Sequence, residues 1–151
     1  MKIVGCLALL VCTLSSVVFA TTAHSQGIVK ADDPLVLGKW TVTKKTESGS
    51  ITLIKEHADG TTTLTAYDSA KRVLYAKTSL YHTEKHGGVK VFVLSNSQFT
   101  AGPNAGKRDR RTKQYVYRVD ADQFFEVRGM VENTKEPPAI IVWERVDAPA
   151  I

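Results

Sequence analysis

Cysteine is scarce in this sequence of 151 residues, and both copies, Cys6 and Cys12, lie near the N-terminus. The surrounding segment has the composition of a secretory signal peptide, because Lys2 is followed by an apolar run of about ten residues and then by a Val-Phe-Ala triplet ending at Ala20. Cleavage after Ala20 or Ala23 removes both cysteines. We therefore expect an exported protein without disulfides or thiol catalysis, held together by its core alone.

Long hydrophobic runs are also lacking. A membrane-spanning helix needs about 20 uninterrupted apolar residues, and Thr13, Ser15 and Ser16 interrupt the N-terminal run. We therefore expect residues 1–20 to be a signal peptide rather than an anchor, and the protein to be secreted or periplasmic. Residues 21–37 then form a lead-in segment, residues 38–147 a single folded domain, and residues 148–151 a tail.

Helical periodicity is the third absence, since no segment repeats apolar residues at positions i, i+3, i+4 and i+7. Apolar and polar residues instead alternate in short runs separated by Gly, Asp, Ser and Pro, which predicts strands. The short connections favour antiparallel neighbours. The sequence thus predicts an all-β, up-and-down meander that closes into a barrel. Its eight strands are Lys39–Thr46, Ile51–His57, Thr61–Tyr67, Val73–Thr83, Val89–Ser95, Gln114–Asp120, Gln123–Met130 and Ala139–Val146.

The connections differ in length at the two ends of this meander. The second and sixth are tight turns, at Asp59-Gly60 and Ala121-Asp122, whereas the fifth and seventh span Asn96–Lys113 and Val131–Pro138. Odd-numbered and even-numbered connections lie at opposite ends of an up-and-down meander. The sequence therefore predicts a cup with a closed floor at one end and a mouth with long loops at the other.

Gly38-Lys39-Trp40, at the start of the first strand, resembles the Gly-x-Trp motif of the lipocalins. The resemblance implies an eight-stranded barrel that holds small apolar molecules, with a helical turn closing its floor and a late Arg packed over the Trp. Arg145 would be that residue here. The chain resembles the lipocalins in layout over residues 33–146 but lacks their Thr-Asp-Tyr motif and a helix after the barrel. It is most similar to small lipocalin-like (calycin-type) domains of exported bacterial proteins.

The lead-in segment carries signals for a single helical turn before the motif. Asp33 suits the N-cap, Pro34 the first helical position and Gly38 the exit. Such a turn would place Leu35 and Leu37 against the floor of the barrel, while an extended lead-in is the alternative.

A basic run, Lys107–Lys113, contains five positive charges and one negative charge. The rest of the chain after the signal peptide is balanced, so the excess positive charge lies in the fifth connection, at the mouth. A cationic rim attracts an anionic group, although a loop without any partner is the alternative. The candidate ligand contacts are the three arginines of this run and two tyrosines near the mouth end of the sixth strand: Arg108, Arg110, Arg111, Tyr115 and Tyr117.

No catalytic constellation is visible. The sequence has no Gly-x-Ser-x-Gly motif, and no pair of carboxylates shares an inward face. Glu126 and Arg128 alternate with Phe125 and Val127, so we expect the two charged residues to face solvent. We therefore predict that the protein is not an enzyme and has no catalytic residue and no cofactor.

Metal and nucleic-acid binding are not predicted either. His57, His82 and His86 fall near the floor end, but their spacing matches no metal motif. The basic run has no interleaved aromatic residues on which bases would stack.

Two strands, at residues 91–94 and 140–143, are apolar on both faces. The outer face is then either an exposed apolar patch or is covered by the lead-in segment, the long fifth connection, a second protomer or a protein partner. The function expected from these features is an exported binding protein whose cup holds a small apolar or amphipathic ligand, with or without an anionic group. The alternative is a filled barrel at the cell envelope that contacts an anionic polymer, a surface or a protein and has no small-molecule site.

Overall fold

The computed structural model describes residues 33–131 and 137–146, and the expected signal peptide, both cysteines and the tail lie outside these ranges. A 3-10 turn, Pro34–Val36, precedes the strands. The strands are β1 (Gly38–Thr46), β2 (Gly49–Ala58), β3 (Thr61–Tyr67), β4 (Val73–His86), β5 (Val89–Ala101), β6 (Arg108–Asp109), β7 (Lys113–Val119), β8 (Gln123–Arg128) and β9 (Ala139–Arg145). All eight predicted strands are present, and β6 is an addition inside the fifth connection. Among the described residues, no helix is long and apolar enough to cross a bilayer.

Eight of these strands form a closed antiparallel barrel, which confirms the predicted fold class. Each strand from β1 to β5 pairs with the next, β5 pairs with β7, and β7, β8 and β9 continue the meander back to β1. The β1–β9 seam contains only two residue pairs, Trp40 with Arg145 and Thr41 with Glu144. Closure of the barrel is therefore concentrated at the floor end of these two strands.

The floor is built from the predicted Gly38, Trp40 and Arg145. The ring of Trp40 is fully buried, and the guanidinium of Arg145 lies 4.1 Å from its centroid. The same guanidinium donates hydrogen bonds to the carbonyl oxygens of Leu37 (3.0 Å) and Leu35 (2.7 Å). Gly38 has a φ of +113°, and a Cβ there would lie 2.7 Å from Nη1 of Arg145. The first residue of the motif is glycine because any side chain is strained at this positive φ, and a Cβ would also displace the guanidinium of Arg145.

The lead-in turn forms, but a different side chain faces the barrel. Asp33 caps the turn by accepting a hydrogen bond from the Leu35 amide (3.2 Å). The expectation that Leu35 and Leu37 face the floor is wrong, since they are 44% and 39% exposed, whereas Val36 is fully buried. The Val36 carbonyl accepts a hydrogen bond from Nε1 of Trp40 (2.9 Å), so the turn is joined to the floor through this residue.

The face of β8 that points into the barrel also differs from the expectation. Phe124 lies directly opposite Trp143 on β9, so the two rings share the inner face. Alternation then directs Glu126 and Arg128 inward as well. The expectation that Glu126 faces solvent is wrong, because this carboxylate is 0% exposed.

The two doubly apolar strands have different outer faces. On β5, Phe92 belongs to the core, while Val91 and Val93, on the opposite face, are also buried within the chain. On β9, Ile140 is 69% exposed and Val142 is 37% exposed. Of these two strands, only β9 therefore exposes an apolar outer surface.

At the mouth, β5 continues beyond its predicted end and forms a hairpin with β6. Ser97 pairs with Asp109 and Gln98 with Arg108. The pairing of β4 with β5 shifts register between Thr78/Leu80, and Asn96 there has a φ of +50°. This irregularity has the form of a β-bulge, which bends a strand and redirects its side chains.

Candidate ligand-binding site

An ion-pair network lies inside the barrel. Nζ of Lys55, on β2, is 2.9 and 3.0 Å from the two carboxylate oxygens of Glu126, and both side chains are buried. Oε2 of Glu126 also accepts hydrogen bonds from Nε1 of Trp143 and from Nη2 of Arg128, each at 3.1 Å. The inward phase of β8 places this carboxylate between two cations.

Burial and charge oppose each other in this network. Burial alone would raise the pKa of Glu126, but the charges of Lys55 and Arg128 and their hydrogen bonds lower it to about 2. Burial lowers the pKa of Lys55 to about 8, against the attraction of Glu126. The carboxylate is therefore ionised at neutral pH, and its negative charge is shared by two cations.

A small polar cavity adjoins the network. It has a volume of about 20 Å³, which is room for one water molecule. Nε of Arg128 and Oγ1 of Thr62 are buried at this cavity without a hydrogen-bond partner among the described residues. The lining residues are Lys55, Thr62, Leu64, Lys77, Ser79, Leu94, Tyr115 and Arg128. Hydrogen-bond donors therefore outnumber acceptors at this level of the barrel.

Lys77, on β4, links the small cavity to a larger groove at the mouth. This mouth groove has a volume of about 470 Å³ and is lined by Leu74, Tyr75, Lys77, Phe99, Pro103 and Asn104. The rings of Tyr75 and Phe99 meet edge to face, with centroids 6.4 Å apart. Burial lowers the pKa of Lys77, and the charges of Lys113 and Arg128 lower it further. Lys77 forms no salt bridge with any described residue, so its charge is not directly neutralised.

The floor half of the barrel is filled by side chains. The imidazole of His57 contacts the rings of Tyr81, Phe92 and Phe124, with centroids 5.0, 5.0 and 5.8 Å away. Burial and the charge of Lys55 hold the pKa of His57 well below its usual 6.5, so this histidine is neutral. Space for a ligand therefore lies toward the mouth.

The structure separates the two predicted tyrosines. Tyr115 lines the small cavity, and the guanidinium of Arg128 lies 5.2 Å from its ring centroid. Tyr117 lies toward the floor rather than near the mouth, because its hydroxyl donates a hydrogen bond to Oδ2 of Asp33 (3.3 Å). Only Tyr115 is therefore placed beside the cationic part of the cup.

The three predicted arginines do not form one cluster. Arg111 is bound to Asp109 through its backbone amide and its guanidinium, with Nε 2.9 Å from Oδ1. Nζ of Lys113 lies 3.2 Å from the other oxygen of Asp109. Arg108 and Arg110 are exposed and form no salt bridge within residues 33–131 and 137–146. Of the five cations of the basic run, Arg111 and Lys113 are bound to Asp109, Lys107 donates a hydrogen bond to Oδ1 of Asn104 (3.0 Å), and Arg108 and Arg110 form no ion pair with a described residue.

No protein-family model matches this chain, and no curated protein or solved structure is significantly similar to it. Function is therefore argued from the geometry of the chain itself.

Two further histidines of the described residues, His82 and His86, lie on the outside of the barrel. Nε2 of His82 and Nε2 of His86 are 2.8 and 2.7 Å from the two oxygens of Glu84, on the outer face of β4. In the described part of the chain, no group of three or more His, Cys, Asp or Glu residues is arranged to hold a metal ion.

The sequence analysis did not identify Lys55 and Lys77 as interior cations. It also did not predict that Glu126 and Arg128 point into the barrel. A signal was present in β2, where Lys55 alternates in phase with Leu53 and His57. A lysine at an inward position predicts a buried countercharge on another strand.

Proposed function

We propose that this barrel is an exported binding protein that holds a small amphipathic anion at its mouth. The anionic group would lie beside Lys77 and Arg128, and the apolar part would lie against Tyr75 and Phe99. The observation that carries this proposal is the position of Lys77, a partly buried cation without a carboxylate partner that joins the polar cavity to the mouth groove.

The charges at the mouth favour an anion. Burial lowers the pKa of Lys77, and the positive charges of Lys113 and Arg128 lower it further. The nearby carboxylates are already engaged, Glu126 by Lys55 and Arg128, and Asp109 by Arg111 and Lys113. A cation removed from water costs free energy unless it is paired. A bound anion would supply the missing pair and bring the pKa of Lys77 back up.

The shape of the site favours a compact ligand. The mouth groove of about 470 Å³ falls within the usual range of small-molecule sites, roughly 300–1,000 Å³. The aromatic cluster around His57 fills the barrel below it. The ligand would therefore bind at the mouth and would not thread a long apolar chain to the floor.

A fluorescence titration with 8-anilinonaphthalene-1-sulfonate tests the proposal, because this dye combines an aromatic body with one negative charge. We expect saturable binding with one dye per chain. Lys77→Met should weaken it about tenfold, since one charged contact is worth about 1.4 kcal/mol or more. The matched control is Lys45→Met, which removes an exposed lysine at the end of β1.

An uncharged analogue separates the two parts of the site. N-phenyl-1-naphthylamine has the same aromatic body without the sulfonate, so Lys77→Met should leave its binding nearly unchanged, whereas Tyr75→Ala should weaken both dyes. Thermal unfolding verifies that each variant is folded. Dye binding that does not saturate, or equal affinity of the folded Lys77→Met variant for the sulfonate, would overturn the proposal.

A further inference from the structure

A second groove lies on the hairpin of β5 and β6, apart from the mouth groove. Its volume is about 450 Å³, and it is lined by Asn96, Ser97, Gln98, Arg108, Asp109 and Arg110. We call it the β5–β6 groove. It contains two of the arginines that the sequence singled out, but neither tyrosine.

The free arginines of this groove lie on the outer side of the hairpin. The hydroxyl of Ser97 is buried and shares a hydrogen bond of 2.7 Å with Ser79, which lines the interior of the barrel. Gln98 and its partner Arg108 are the next pair along the hairpin, and both are exposed. Side chains of successive strand residues point to opposite faces. The exposed pair therefore faces away from the cup.

The charge of this groove is not neutralised by its own carboxylate. Asp109 is held by Nε of Arg111 at 2.9 Å and by Nζ of Lys113 at 3.2 Å. These bonds keep the pKa of Asp109 far below its usual range. Arg108 and Arg110 form no ion pair with any residue that the structure describes. Two guanidinium groups, two positions apart in the chain, are therefore available to a ligand on the same side.

The β-bulge adds amide groups beside these arginines. Asn96 takes a φ of +50°, a conformation that asparagine tolerates better than most residues. The groove thus offers the side-chain amides of Asn96 and Gln98, which donate and accept hydrogen bonds, next to two planar cations. This combination suits a ligand that carries both hydroxyls and oxyanions.

We propose that the β5–β6 groove binds a carboxylate-bearing polysaccharide, such as a polyuronate. Arg108 and Arg110 would each pair with a carboxylate through two hydrogen bonds, a geometry that guanidinium favours. Asn96 and Gln98 would bind the ring hydroxyls. This site is independent of the small-molecule site proposed at the mouth.

The lining argues against a membrane or a nucleic acid as the partner. Membrane-surface binding uses large apolar side chains that insert between lipids, and single-stranded nucleic acid uses aromatic side chains on which bases stack. The six lining residues include neither type. A groove lined by polar groups fits a hydrated, polyhydroxylated chain better.

Calorimetric titration of the protein with a purified short oligogalacturonate tests this proposal. We expect the double variant Arg108→Gln/Arg110→Gln to bind at least about tenfold more weakly than the unmodified chain, since two charge-assisted contacts are lost. The matched control is Lys44→Gln/Lys45→Gln, which removes two exposed charges from β1. This control should retain the affinity. Binding should also weaken as sodium chloride is raised, because exposed charges are screened.

Three results would overturn the proposal. The first is unchanged affinity of the double arginine variant, and the second is an equal loss in the lysine control, which would indicate nonspecific charge attraction. The third is arginine-dependent binding to phosphatidylglycerol vesicles without binding to oligogalacturonate, which would assign this groove to a membrane surface. Lys77→Met should leave oligogalacturonate binding unchanged. The dye titration therefore tests the proposal for the mouth groove, and the oligogalacturonate titration tests the proposal for the β5–β6 groove separately.

Discussion

The guanidinium of Arg145 lies over the ring of Trp40 at 4.1 Å, and the two residues are direct partners across the β1–β9 seam. The arginine also donates hydrogen bonds to the backbone of the lead-in turn and, through Nε, to the carbonyl of Ala121 in the β7–β8 turn. One side chain therefore connects the first strand, the last strand and two loops of the floor.

Replacing Arg145 by lysine should destabilise the barrel. Lysine keeps the charge but cannot reach three carbonyl oxygens in the fixed geometry of a guanidinium. We expect the free energy of unfolding to fall by roughly 2 kcal/mol, from the weakened cation–π contact and the lost hydrogen bonds. Urea denaturation measures this change. Arg108→Lys, at an exposed arginine, is the control and should have almost no effect, whereas equal stability of the Arg145 variant would show that the floor does not depend on this side chain.

Neutralising Glu126 alone should lower the free energy of unfolding more than neutralising Glu126 and Lys55 together. Glu126→Gln leaves Lys55 buried without a countercharge, for which we expect a loss of roughly 3–5 kcal/mol. The double variant Lys55→Met/Glu126→Gln removes that unpaired charge and should recover part of the loss. Urea denaturation of both single variants and the double variant gives the coupling energy. Simple additivity of the two single effects would contradict a strong interaction between these side chains.

Stability should decrease in mild acid because of His57. The folded protein holds the pKa of this imidazole well below 6.5, while the unfolded chain takes up a proton near pH 6.5. Unfolding is therefore favoured below about pH 6.5, by up to about 1.4 kcal/mol per pH unit. The stabilisation from Glu126 is fully present above pH 4.5 and is lost only as the pH falls toward 2.

The variant His57→Phe isolates this contribution. Phenylalanine keeps an aromatic ring among Tyr81, Phe92 and Phe124 but cannot take up a proton. The free energy of unfolding should then depend less on pH between 6.5 and 5, whatever its absolute value. Urea denaturation at several pH values gives the slope, and a slope as steep as that of the unmodified chain would assign the acid sensitivity to another group.

Two glycines of the β5–β6 hairpin provide a matched test of packing. Gly102 and Gly106 have similar φ angles, +87° and +84°. A Cβ at Gly102 would come within 2.9 Å of the Cα of Tyr75, whereas at Gly106 it would meet open space. Gly102→Ala should therefore destabilise the protein by roughly 1–3 kcal/mol more than Gly106→Ala. It should also weaken dye binding, because Tyr75 lines the mouth groove.

Thermal unfolding and the dye titration check this pair of variants together. Equal melting temperatures for the two would show that the hairpin shifts freely away from β4, in which case the mouth groove is not held in a fixed shape.

The strands were predictable because alternation and turn chemistry act locally. The turn at Asp59-Gly60, for example, joins β2 and β3 as its residue types indicate, and Asp59 and Gly60 have φ angles of +45° and +73°. The resemblance at Gly38-Lys39-Trp40 also implied a contact that the structure contains, because Arg145 packs over the ring of Trp40 and lies beside Gly38. The hairpin of β6 was missed because two residues carry too little pattern to distinguish a strand from a loop.

The interior charges were not predictable by the same reasoning. Alternation defines two faces of β8, and assigning Phe125 inward and Glu126 outward is the choice that buries least charge. The opposite choice is favourable only because Lys55, on β2, supplies a countercharge. Lys55 and Glu126 are 71 positions apart in the chain, and a pattern within one strand cannot predict such a distant pair.

The hydrogen bond from Arg145 to Leu37 joins residues 108 positions apart in the chain. Contacts this distant in sequence require a large loop to close before they contribute, which slows folding. The hairpins of β2–β3 and β4–β5 close loops of only a few residues, so they can form first. We therefore expect the β1–β9 seam to form late, and a chain whose last strand is damaged would leave an open, curved sheet with two unpaired edges. Such edges pair readily with other chains, so we expect the chain to be most prone to aggregation before this seam forms and to be protected once Arg145 has closed the floor.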